Sequence, residues 1–83
     1  NKINTSIKLP LTISINSKNY RKIFNLEEAL SNIDLISNFS ILNFNNKSTQ
    51  YKIIYNGSPK TFLNDMVNKN FDLTMENNVW KVK

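Results

Sequence analysis

The alternation of apolar and polar residues is sharpest in the stretch Phe71-Asp-Leu-Thr-Met-Glu-Asn-Asn-Val-Trp-Lys-Val-Lys83. A two-residue turn fits at Asn77-Asn78, because asparagine tolerates the positive φ that tight hairpin turns demand. Glu76 then faces Val79, Met75 faces Trp80, Thr74 faces Lys81, Leu73 faces Val82 and Asp72 faces Lys83. Side chains alternate across a strand, so Phe71, Leu73, Met75, Trp80 and Val82 share one face and the polar residues the other, with Val79 the apolar exception. Asp72 and Lys83 form an opposite-charge pair in this register. The rest of the chain must supply partners for that apolar face.

Upstream, Leu11, Ile13 and Ile15 alternate strictly with Thr12, Ser14 and Asn16, which predicts a half-buried strand. Ile23, Leu26, Leu30 and Ile33 recur at helical spacing, flanked by Tyr20, Phe24 and Ala29. Two starts compete for this helix: a Ser17 cap with Lys18 first, favoured by the early periodicity, or a capping box from Asn25 to Glu28. After an exit loop over 32–38, Phe39–Phe44 reads as a second strand of ambiguous phase. Phe39 and Ile41 claim one face and Leu42 and Phe44 the other, so either a bulge or an apolar outer face is required. A turn-rich 45–49 leads to a third strand, Gln50–Tyr55. Ser58-Pro59 opens a second helix with a hydroxyl cap and proline in the first turn. Phe62, Leu63, Met66 and Val67 form its apolar stripe, and Asn68-Lys-Asn70 ends it.

The element order is strand, helix, strand, strand, helix, strand, strand. It predicts an α+β domain of ferredoxin-like, split-βαβ plan with a C-terminal strand appended: an antiparallel sheet with two helices on one face. Residues 1–10 read as a linker or strand extension and 11–83 as a single domain. The expected core is Leu11, Ile13, Ile15, Ile23, Leu26, Leu30, Ile53, Phe62, Leu63, Met66, Leu73 and Trp80.

Composition narrows the chemistry. A chain of 83 residues buries about 60–65% of its unfolded surface, enough for a small core. It contains no cysteine and no histidine, which excludes disulfides, thiolate nucleophiles and the commonest neutral-pH base and metal ligand. The net charge of +5 comes almost wholly from lysine and reads first as a solubilising surface. No apolar run reaches the roughly 18–20 residues of a membrane span, so insertion by this segment is not expected. The chain does not begin with Met, and it reads as an excerpt or a processed product.

Of the six carboxylates, Glu27 and Glu28 diverge around the first helix and look solvated, Asp65 falls on the outer side of the second helix, and Asp72 has Lys83 as its partner. No pair is spaced for acid–base work, and the lone Gly57 cannot make a phosphate loop. Catalytic, cofactor and metal residues are therefore not assigned, and an enzyme is not expected.

Two binding classes remain. Tyr51 and Tyr55 share one side of the third strand, with Lys52 opposite and Lys18, Arg21 and Lys22 near Tyr20, as an RNA-binding or single-stranded-DNA-binding sheet would need. Yet Tyr51-Lys-Ile-Ile-Tyr55 lacks the ribonucleoprotein signature, and the same tyrosines read first as core or edge cover. A protein partner, or a neighbouring domain of the parent chain, needs only an open sheet face or edge, with Leu42 and Phe44 as an outward apolar patch. The candidate interaction residues are Leu42, Phe44, Tyr51, Lys52 and Tyr55.

A wider pattern spans Leu11 to Trp80. It comprises an alternating strand, a Tyr-led helix from Tyr20 to Leu30, spaced apolar positions at Ile33, Ile36, Phe39 and Ile41, a strand running into Gly57, a helix led by Ser58-Pro59 with Phe62, Leu63 and Met66, and a tail with Leu73 and Trp80. In this it resembles the C-terminal region of a proteobacterial envelope family catalogued as domain of unknown function 2066, although its Asn/Lys-rich composition departs from the usual Leu/Gln/Arg-rich members. The resemblance implies an exported protein in the bacterial envelope or periplasm and, by analogy of fold, an accessory or interaction role. It carries no activity, cofactor or functional residue.

Overall fold

The structure is a computed structural model that describes residues 8–83. In chain order it comprises β1 (Leu9–Asn16), α1 (Tyr20–Ser31), β2 (Ile36–Phe44), β3 (Ser48–Tyr55), α2 (Pro59–Asn68), β4 (Leu73–Glu76) and β5 (Val79–Val82). The class is α+β, with five strands in one sheet ordered β2-β3-β1-β5-β4.

The sheet is mixed, which corrects the all-antiparallel expectation. β1 and β2 both run antiparallel to β3, but β1 pairs parallel with β5 through Ile13–Trp80 and Ser14–Lys81. The closing hairpin docks with β5 inward, setting Trp80 beside the buried Ile13, and leaves the four-residue β4 as the outer edge.

That hairpin keeps the register that its alternation predicts. Leu73 pairs Val82, Thr74 pairs Lys81, Met75 pairs Trp80 and Glu76 pairs Val79. Asn77 and Asn78 take φ of 52° and 64°, the pair of left-handed residues a two-residue turn requires. The ion pair differs from expectation. Lys81 Nζ lies 3.0 Å from Glu76, whereas Asp72 and Lys83 meet through a backbone hydrogen bond, the Lys83 N–H donating to the Asp72 carbonyl.

Each helix has a local reason for its ends. α1 begins at Tyr20, later than the Ser17 cap and earlier than the Asn25 box. Asn19 caps it by accepting from the Lys22 N–H, while buried Ser17 donates to the Asn45 carbonyl and meets Thr49 Oγ1 at 2.8 Å. α2 starts as expected, with Ser58 accepting from the Thr61 N–H and Pro59 first in the helix. It stops because Asn70 takes φ of 70°. The N–H of Asn70 bonds the Val67 carbonyl and that of Phe71 bonds the Met66 carbonyl, with Phe71 and Met66 both buried.

Directly paired residues point to the same face. The core therefore forms in rows across the sheet: Ile36–Tyr55–Leu9, Phe39–Ile53–Leu11, Ile41–Tyr51–Ile13 and Phe44–Thr49–Ile15. Leu26, Ala29, Leu30 and Ile33 from α1 and its exit, with Phe62 and Met66 from α2, join Ile13, Ile15, Tyr51, Ile53, Tyr55 and Phe71 in one buried cluster, so both helices cover the same face. Of the expected core, Leu11, Ile23, Leu73 and Trp80 pack at its margin and Leu63 is half-buried. Ala29, Ile33, Phe71 and the two tyrosines are added.

The opposite face of the sheet carries Thr12, Ser14, Ser40, Gln50, Lys52 and Lys81 with Ile54 at one end, a mainly polar face over which no described helix lies. β1 extends the predicted strand back to Leu9. Pro10 is tolerated because β5 pairs β1 only at Ile13 and Ser14, so its missing N–H lies beyond that pairing. The expectation for residues 1–7 lies outside the described residues.

Candidate interaction surface

The ambiguous phase of β2 has a definite origin. The ladder with β3 slips once between Ile36 and Asn38 and again between Ile41 and Asn43. Each slip absorbs one residue, so the spacing 36, 39, 41, 44 becomes regular alternation, and all four apolar residues face the helix side. This corrects the placement of Phe44, which shares a face with Phe39 and Ile41.

The helix layer does not reach them all. α1 leads back from the end of β1 to the start of β2, so its first turn lies beside the end of the sheet where β2 finishes. The Ser17 bonds to Asn45 and Thr49 fix that approach. Successive residues rotate about 100° around a helix, so Tyr20, Phe24, Glu27 and Ser31 form one flank, to the side of the buried Leu26 and Leu30. That flank faces β2. Phe24, Glu27, Glu28, Ser31 and Phe39 line one cleft, and Leu30, Ser31, Ile36, Ser37, Asn38 and Phe39 line the next. Sharing Ser31 and Phe39, the two make a trough along β2.

The trough is apolar at its open end. Tyr20 is 79% exposed, Phe24 64%, Ile41 56% and Phe44 67%, values far from those of core side chains. Among the described residues β2 is also an outer strand of the sheet, and one side of its backbone has no strand neighbour there. Its nine residues, Ile36–Phe44, contain no charge and no proline, so the two register slips are what interrupts this edge. The other edge, β4, has four residues and carries Glu76 in an ion pair.

The sequence-predicted residues do not converge. Phe44 lies on this surface, while Leu42 falls within the second slip, exposed and without a paired residue in β3. Lys52 is exposed on the opposite, polar face, in the row Ser40–Lys52–Thr12. Tyr51 and Tyr55 are 1% and 0% exposed, which removes them from any binding surface and from base stacking.

Their hydroxyls instead fasten the helix layer. Tyr51 Oη donates to Glu27 Oε2 of α1 at 2.5 Å, and Tyr55 Oη donates to Asp65 Oδ2 of α2 at 2.6 Å. Glu27 and Asp65 are therefore half-buried acceptors rather than solvated carboxylates. Burial, then the hydrogen bond to a carboxylate and its charge, push the ionisation of both phenols well above the ordinary tyrosine range. Phe62 packs edge-on to the Tyr55 ring, with centroids 5.2 Å apart. Sequence reasoning missed Tyr20, Phe24 and Ile41 as exposed apolar residues on the same side as Phe44. Their signal was present, since Tyr20 and Phe24 already lay beside the helical stripe rather than within it.

Among the described residues no helix is long and apolar enough to cross a membrane, and no three acidic, histidine or cysteine side chains are grouped to hold a metal. Comparison with known proteins finds no matching family model, no matching curated relative and no matching solved structure.

Proposed function

We propose that this domain is a non-enzymatic interaction module that accepts an extended segment of a partner along β2, with the partner's apolar side chains entering the trough between α1 and β2. The carrying observation is the set of exposed Tyr20, Phe24, Ile41 and Phe44 on the helix side of an uncharged edge strand. Strand addition at an open edge takes its affinity from backbone hydrogen bonds and its selectivity from alternate side chains in pockets, and this surface offers both.

An accessory role within a larger bacterial envelope protein, which the family resemblance implies, belongs to the same proposal. So does a ferredoxin-like plan: β1, α1 and β2 with β3 between them make one split-βαβ half, and the β4–β5 hairpin stands where that plan has a single strand.

The test is selection of extended peptides from a random displayed library on the folded domain, followed by amide NMR titration with the selected sequences. Shifts should cluster on Ile36–Phe44 and Tyr20–Phe24 and vanish in a Phe24→Ser, Phe44→Ser double variant. Peptides that bind the double variant equally well would overturn the proposal. A parallel titration with short mixed-sequence RNA separates the other binding class: saturable shifts on the polar sheet face that persist at moderate salt would favour nucleic acid.

A further inference from the structure

We infer that the segment β2 accepts is β2 of a second copy of this chain, paired antiparallel about a two-fold axis at Ser40. This rests on the edge-pairing reading above and names its occupant.

The first ground is register. The helix-side residues of β2 are Ile36, Phe39, Ile41 and Phe44, and they are symmetric about Ser40. An antiparallel pair centred there sets Phe39 against Ile41 of the second copy and Ile36 against its Phe44, twice each. The core row Ile13–Tyr51–Ile41 then continues into the second copy's Phe39–Ile53–Leu11. A two-fold axis normal to the sheet keeps both helix layers on one side, so Tyr20 and Phe24 of each copy flank the joint.

Charge supplies the second ground. The strand itself is neutral, so no like charges oppose along it. Beyond its ends lie Asp34 on one side and Lys47 on the other. Antiparallel pairing carries the Lys47 turn of each copy toward the Asp34 loop of its mate, the arrangement a self-complementary surface needs. The two register slips leave Asn38–Ile41 as the regular stretch, so the backbone pairing is short and the apolar side chains provide most of the affinity.

The chain has no cysteine, which allows a clean experiment. Opposed residues in an antiparallel pair have Cα atoms about 4.5–5.5 Å apart, within disulfide reach. Ser40→Cys on the polar face should therefore cross-link to dimer within minutes under mild oxidation, at least tenfold faster than Lys60→Cys, which sits exposed on α2. Sedimentation equilibrium should show a dimer, and Ile41→Lys with Phe44→Glu should make it monomeric. Both positions are exposed in the single chain, so an unchanged circular-dichroism melt at low concentration would confirm that the variant still folds. A wild-type chain that stays monomeric at millimolar concentration, with Ser40→Cys no faster than Lys60→Cys, would overturn self-pairing. The peptide selection then stands apart: peptides that still dock on β2 keep the edge-pairing reading, and their absence removes it as well.

Discussion

The bond between Tyr51 and Glu27 has a calculable worth. A hydrogen bond to an ionised acceptor contributes about 1.5–3 kcal/mol where water cannot replace it. The Tyr51 ring is buried, but Glu27 is only half-buried, so water reclaims part of the carboxylate once the hydroxyl is removed. The expected pairwise coupling is therefore about 1–1.5 kcal/mol, at or just below the bottom of that range. Tyr51→Phe, Glu27→Ala and the double variant form a thermodynamic cycle in which lost packing and altered helix propensity cancel. Urea denaturation followed by circular dichroism gives the four stabilities. For a chain of this length 1 kcal/mol corresponds to about 4–8 °C in melting temperature, well above error. Tyr55 and Asp65 supply an independent repeat on the other helix, and the two cycles should add. Coupling below about 0.3 kcal/mol in both cycles would refute the claim that these phenols fasten the helices.

The remaining predictions use the same denaturation assay. Tyr51 and Tyr55 hold their protons in the native state well above the ordinary range, whereas an unfolded tyrosine releases its proton near ~10. Their contribution is thus complete below about pH 10 and falls as pH rises beyond it, and the Tyr51→Phe, Tyr55→Phe double variant should lose less stability between pH 9 and 11 than the wild type. Gly57→Ala should cost about 1–3 kcal/mol, because its Cβ would stand 2.8 Å from Cε2 of the Tyr55 ring, which is pinned by Asp65 and Phe62. Trp80→Ala should cost about 2–3 kcal/mol, below the range for a fully buried tryptophan because Trp80 lies at the core margin. Trp80→Phe should cost less than that, since the indole N–H has no hydrogen-bond partner among the described residues. Replacing both Asn77 and Asn78 by Ala should cost about 2 kcal/mol, because two left-handed residues lose their tolerant side chains.

What the sequence disclosed depended on whether a feature was local. The closing hairpin was legible pair by pair, because an Asn-Asn turn and strict alternation fix one register without reference to anything else. The α2 start was legible for the same reason, as Ser58 and Pro59 act within a single turn. For β2 the choice was legible, a bulge or an apolar outer face, but not its outcome, since a bulge is a relation between two strands, and the slips at 36–38 and 41–43 exist only against β3. The tyrosines of β3 were misplaced through their chemistry. A phenol suits a wet surface or a core with an acceptor, and the acceptors here sit on Glu27 and Asp65, 24 and 10 residues away in sequence. The parallel docking of β5 was hidden because alternation says which face a strand buries but not which neighbour it takes.

The docking of β5 beside β1 also orders events in time. β1 is the middle strand, yet its two neighbours are β3 and β5, and the contact between Ile13 and Trp80 spans most of the chain. On a ribosome β1, β2 and β3 can associate early, leaving one side of β1 open until the hairpin has emerged. That nascent three-stranded sheet would have two bare edges at once, and long-range pairings of this kind close slowly. The hairpin needs no such wait, because its turn and register are its own. Folding is therefore expected to finish with a preformed β4–β5 unit closing over β1, and the interval before that step is when the chain is most open to wrong partners.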